Sequence, residues 1–202
     1  MKTNLLLLAI LYLLGTSSFA ASNPFDDASA AYERGDYVQA LTIFRQLAEQ
    51  GHQWAQRRVG SMYAEGKGVP QDYQEALKWY RLAAAQKNTP AQYSLGLAYE
   101  KGQGVPQDYQ EALKWYRLAA AQGNASAQVN LGVMHANGRG VRQDFVRAYM
   151  WFNVAAAASS GDSGDRATKK RDRIASKMTA GQIETAREMA RRCRESKLKN
   201  CD

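Results

Sequence analysis

Apolar and small side chains recur along this chain at helical spacing, and the pattern returns at a fixed interval. In one stretch Ala91, Leu95, Gly96 and Tyr99 mark a face of a first helix. Thr89-Pro90-Ala91-Gln92 predicts its start, with Thr89 as N-cap, Pro90 at the first helical position and Gln92 three residues after the cap. Gly102 and Gly104 end that helix and supply a turn, and Val105-Pro106 leads into the next. Asp108 with Glu111 caps a second helix, whose inner face is Ala112, Trp115, Tyr116, Ala119 and Ala120, at i, i+3, i+4, i+7 and i+8. Gly123 closes the pair.

The pair is one of a series. Gly68–Gln86 reads GVPQDYQEALKWYRLAAAQ, and Gly104–Gln122 repeats the same nineteen residues 36 positions on. Gly60, Gly96 and Gly132 keep that interval, as do Trp79, Trp115 and Trp151, and Asp72, Asp108 and Asp144. A period of this length means stacked like units. A glycine inside a helix costs about 1 kcal/mol against alanine, so its recurrence predicts that bare backbone is needed for close helix packing. Ala76, Ala112 and Ala148 follow the same logic, and the tryptophans are expected to fill space between units as core.

A shorter pair precedes the series. Asp36 caps a helix with Ala40, Ile43, Phe44, Leu47 and Ala48 on one face, and Ala28–Arg34 is expected as its first helix. Beyond the series, Ser159–Gly164 reads as a linker, and Arg166–Lys177 and Ala180–Lys197 as two closing helices, the latter capped by Thr179 with Gln182. The predicted organisation is a helix pair over 24–51, three full units over 52–87, 88–123 and 124–158, and C-terminal capping helices over 165–198.

Residues 1–20 stand apart. Lys2, an apolar run from Leu5 to Leu14 and the small residues Ser18 and Ala20 have the layout of a secretory signal peptide, with cleavage after Ala20. The run rises only about 15 Å as a helix, about half a bilayer core, so a membrane span is not expected; an uncleaved anchor is the alternative. The expected location is periplasmic or secreted. The net charge is +8 over 202 residues. It concentrates from Asp165 to Asp202, where twelve Lys/Arg face six Asp/Glu. Such a segment suits an acidic polymer, an anionic membrane surface or an acidic protein, or is a solvated cap on the end of the stack; nucleic acid is not expected for an exported chain. The two cysteines, Cys193 and Cys201, suggest a disulfide in an oxidising compartment. Cys193 also shares a helical face with Ile183, Ala186 and Ala190, so a buried thiol is the other reading. No metal site is expected, because His52 and His135 lie far from both cysteines.

The pattern Ala91-x-x-x-Leu95-Gly96-x-x-Tyr99-x-x-Gly102-x-Gly104-Val105-x-x-Asp108-x-x-x-Ala112-x-x-Trp115-x-x-x-Ala119-Ala120-x-x-Gly123 resembles the Sel-one-like repeat (SLR), a relative of the tetratricopeptide repeat. The first pair, with Tyr32-x-x-Gly35-Asp36-Tyr37-x-x-Ala40-x-x-x-Phe44, looks more like a tetratricopeptide repeat. Departures are His135 for a tyrosine, Arg142 for the loop proline, and Lys87-Asn88 for a closing glycine. The resemblance implies an all-α, right-handed superhelical solenoid whose concave face is lined by first helices. It also implies a protein-binding adaptor, which in exported bacterial members serves the cell envelope. A cysteine-rich exported branch is linked to penicillin-like ligands and weak hydrolysis. That activity is not carried over, because no cysteine precedes Cys193.

No constellation points to catalysis or to a cofactor. The Gly-x-Gly segments are turns between helices rather than phosphate loops, and Asp72/Glu75 and Asp108/Glu111 read as helix caps. The candidate surface is a set of ladders on the first helices. Gln56, Gln92 and Gln128 align, as do Arg57, Tyr93 and Val129, and Arg58, Ser94 and Asn130. Stacked units would place them about 10 Å apart. A glutamine ladder suits an extended peptide backbone; plain solvation of a polar helix position is the competing reading. The expected partner-binding residues are therefore Gln56, Arg57, Gln92, Tyr93, Gln128 and Asn130. Three functions compete: an exported protein-binding scaffold, a binder of peptidoglycan or another acidic envelope polymer through the basic C-terminal helices, and a penicillin-binding hydrolase.

Overall fold

The computed structural model describes residues 23–158, 161–199 and 201. The expected signal segment, 1–20, lies outside them. The described residues are helical, with no strand among them: α1 (Pro24–Glu33), α2 (Tyr37–Glu49), α3 (Gln53–Glu65), α4 (Tyr73–Ala85), α5 (Thr89–Lys101), α6 (Tyr109–Ala121), α7 (Ala125–Asn137), α8 (Phe145–Ala158), α9 (Asp162–Ala175) and α10 (Ala180–Glu195). From α1 to α9 each helix packs on its neighbour in sequence, while α10 returns onto α8 and α9 also touches α7. The result is a helical solenoid of repeated pairs with two capping helices.

The caps follow the period with two corrections, the first being that Asp36 stands at the N-cap of α2 but makes no side-chain cap hydrogen bond and pairs with Arg34 instead. Asp72 and Asp108 accept from the amides two and three residues on, as expected. The first helices are capped by His52, Asn88 and Asn124, which accept from Ala55, Ala91 and Ala127 N–H. Asn88, rather than Thr89, is thus the cap of α5. Lys87 before it takes φ 63°, in the register where Gly51 and Gly123 stand. Thr179 and Gln182 form the reciprocal cap of α10. Helix α1 starts earlier than expected, with Pro24 in its first turn and Asn23 as cap. Helix α9 also starts within the segment read as linker, at Asp162.

The mid-helix glycines are close-contact positions. A Cβ on Gly60 would stand 2.7 Å from the Tyr80 ring, one on Gly96 2.5 Å from Tyr116, and one on Gly132 2.6 Å from Phe152. The rings that seal each pair therefore belong to the residue after each tryptophan. Trp151 is buried, while Trp79 and Trp115 are half-buried at the edge of the core. At the C-terminus both cysteine readings are realised: Cys193 is fully buried and is bonded to Cys201. No helix among the described residues is long and apolar enough to cross a membrane.

Candidate partner-binding site

The structure divides the six expected binding residues into two groups. Gln56, Gln92 and Gln128 are 5%, 4% and 0% exposed, so the glutamine ladder faces inward, not outward. Their Nε2 groups donate to the carbonyls of Ala48, Ala84 and Ala120, at 3.1, 3.5 and 3.2 Å. Those carbonyls belong to the last turn of the preceding second helix, where helix geometry leaves acceptors without intrahelical donors. Gln86 and Gln122 complete the link by donating to Gln56 and Gln92 Oε1, at 2.8 and 2.7 Å. In the third unit Ala158 occupies the matching register, and Gln128 Oε1 has no hydrogen-bond partner. These glutamines staple one unit to the next, and their burial removes them from the reach of a peptide.

Arg57, Tyr93 and Asn130 sit differently. Arg57 is half-buried, with an enclosed Nη1 that has no hydrogen-bond partner. Burial first, and Arg58 second, pull its guanidinium below the ordinary value. A guanidinium remains charged in proteins, so Arg57 is a desolvated cation on the first-helix side. One and two units on, Tyr93 and Asn130 line a cleft of about 330 Å³ between α5, α7 and α9, together with Ser126, Val129, Arg166 and Lys170. The Tyr93 ring lies 5.8 Å from that of Tyr116. Burial raises the Tyr93 hydroxyl above the ordinary tyrosine value, while hydrogen bonding with Asn130 and Ser126 works against that rise.

A second cleft of about 270 Å³ continues along α7, over Val133 and Ala136, with Lys170 and Arg173 of α9 and Lys177 just beyond it as its wall. The two clefts share Lys170. The first-helix side of the last unit is therefore an apolar strip, Val129, Val133 and Ala136, flanked by cations. Lys170 and Arg173 have no ion-pair partner among the described residues, and Lys177 sits 5.7 Å over the Phe145 ring. Helix α10 differs. Its Arg187, Arg191 and Arg192 pair with Glu184, Glu188 and Glu195 on the same helix. The charge that faces the groove without an ion pair among the described residues is thus that of Lys170 and Arg173. Lys170 and Arg173 were not legible as part of the site, because only the packing of α9 on α7 and α8 brings them near Tyr93. The excess of basic residues after Asp165 was the one signal available.

The Sel1 repeat model matches residues 29–52, 55–88, 89–124 and 125–160, together more than half of the chain. The first of these covers the pair that looks like a tetratricopeptide repeat. A Sel1 repeat protein from Oxalobacter formigenes is similar at 33% identity and a TM-score of 0.67, over 74% of this chain and 58% of that one. A protective antigen present in uropathogenic Escherichia coli strains, displaying an SLR fold, is similar at 28% identity and a TM-score of 0.60, over 87% of this chain and 45% of that one. The chain spans less than two thirds of the length of either. No curated protein matches it.

Proposed function

The chain belongs to the Sel1 repeat family, and we propose that it is an exported scaffold of the bacterial cell envelope that holds a partner protein against the α7–α9 groove. Sel1 repeats generally mediate protein–protein interaction and are typically non-catalytic. One observation carries the reading: Tyr93 and Asn130 share a cleft with Lys170, on an apolar strip walled by Lys170 and Arg173. An apolar floor with a charged rim is how protein interfaces combine affinity with orientation. The partner segment is accordingly apolar on one side and carries carboxylates toward α9. Export rests on the reading of residues 1–20 as a signal peptide.

The competing reading, an acidic envelope polymer held by the C-terminal helices, is favoured by the charge of α9 and weakened by the internal pairing of α10 arginines. One experiment separates the two. The partner is recovered from the native envelope fraction, and its purified affinity is measured for wild type and for the Lys170→Glu/Arg173→Glu variant across a salt series. Groove binding predicts at least a tenfold loss in the double variant and a shallow salt dependence. A polymer ligand instead loses affinity steeply with salt. Undiminished affinity of the double variant for a protein partner overturns the groove.

A further inference from the structure

The last second helix differs from those before it. Where α4 and α6 carry Lys78 and Lys114 in the open, the aligned residue of α8 is Met150, fully buried. Leu82 and Leu118 are 50% and 44% exposed, while Val154 in the same register is 1% exposed. Trp151 is 2% exposed, and Trp79 and Trp115 are half-buried. One side of α8 is thus covered where the matching side of the earlier units is open. Helix α6 packs on α5 and α7, and α8 on α7 and α9; only α10 has no counterpart at α6. The extra cover therefore comes from α10 and the tail that follows it.

The two parts of this cover are held differently. Helix α10 buries Ala186, Ala190 and Cys193, and Arg187 Nε donates to Tyr149 of α8 at 3.4 Å. The tail beyond Glu195 is irregular. It turns back over the core through Lys197 and Leu198, at φ 53° and 65°. Two successive side-chain-bearing residues in the left-handed region persist only where their surroundings fix them. Backbone bonds from Lys197 and Leu198 N–H to the Arg194 and Cys193 carbonyls, both 2.9 Å, hold the start of the turn. Beyond it Leu198 and Cys201 pack on the cluster that contains Met150, Trp151 and Val154, and Cys201 is bonded to Cys193. Cys193 is fully buried and Cys201 half-buried, so the sulfur within reach of an attacking thiolate is that of Cys201.

We propose that the tail is a redox-operated lid over Trp151, latched by the Cys193–Cys201 bond. A dithiol opens it. Its first thiolate attacks Cys201 Sγ, the S–S bond breaks, and Cys193 leaves as a thiolate that takes up a proton. Its second thiolate then displaces Cys201, so two electrons pass to the protein and the reductant ends as a disulfide. With the latch open the left-handed turn relaxes, Leu198 leaves the core, and Trp151 becomes as accessible as Trp79 and Trp115. Helix α10 stays docked on α8. The lid is shut in a compartment that forms disulfides and open in a reducing one. It lies apart from the α7–α9 groove and does not rest on that reading.

Two readouts on the full chain test the lid. Trypsin cleavage after Lys197, followed by mass, is compared in the oxidised protein, in the protein reduced with dithiothreitol, and in Cys201→Ser, which needs no reductant. Cleavage at least tenfold faster in the last two is expected, with reduction verified by alkylation of both cysteines in a denaturing quench. Hydroxyl-radical labelling, read residue by residue, then compares the oxidised protein with Cys201→Ser. Labelling is expected to rise at least threefold at Trp151 and to stay constant at Trp54, Trp79 and Trp115. Unchanged cleavage after Lys197, or unchanged labelling at Trp151, overturns the proposal. A rise at all four tryptophans together also overturns it, because the bond then braces the whole fold and not one segment.

Discussion

Replacing Gln56, Gln92 and Gln128 together by alanine is expected to lower the unfolding free energy by about 4 kcal/mol, read by urea denaturation of the folded chain. Each substitution removes a buried amide that donates to a carbonyl at the end of the preceding helix pair. A buried acceptor that loses its donor costs about 1–3 kcal/mol. The three sites are 36 residues apart in sequence and share no partner, so their effects add. Gln128→Ala is expected to be the mildest of the single variants, because Gln128 Oε1 is already unpaired. A triple variant within about 0.5 kcal/mol of wild type contradicts the stapling role.

Gly104→Ala is expected to cost about 3 kcal/mol, far more than the same change at Gly123, measured in the same way. Two separate penalties meet at Gly104. Its φ is +74°, a left-handed conformation that costs a side-chain-bearing residue about 1–2 kcal/mol. A Cβ there would also stand 2.7 Å from the Tyr73 backbone of the preceding unit, an overlap that flexible side chains cannot relieve and that costs about 1–3 kcal/mol. Gly123 has φ +86° but no atom within 4 Å of an added Cβ, so only the first penalty applies. Gly68 and Gly140 make the same approach to Tyr37 and Tyr109, which marks this loop as the point where successive units touch through backbone. Equal losses at Gly104 and Gly123 contradict that role.

Most of the architecture was legible because the repeat states each signal more than once. A single Asp–x–x–Glu or a single mid-helix glycine is weak, but Asp72 and Asp108, or Gly60, Gly96 and Gly132, exclude accident. The cap of α5 went astray because Thr89-Pro90 imitates a cap by itself; alignment of His52, Asn88 and Asn124 gives the correct register. The glutamines were misplaced for a similar reason. Gln92, Leu95, Gly96 and Tyr99 lie at i, i+3, i+4 and i+7, so helical phase already puts Gln92 on the buried face. Its polarity suggested the surface, and only the neighbouring unit's carbonyl explains how a polar group is satisfied there. The α9 wall of the groove was beyond sequence reasoning. It depends on how a capping helix folds back across the last pair, and that packing leaves no periodic mark.

The most direct test is photo-crosslinking of the bound partner. A benzophenone side chain at position 129, within the α7–α9 groove, is compared with one at position 82, on the second-helix side. Capture of the partner from position 129 and none from position 82 is the predicted result. Capture from position 82 with none from position 129 contradicts a partner held between α7 and α9.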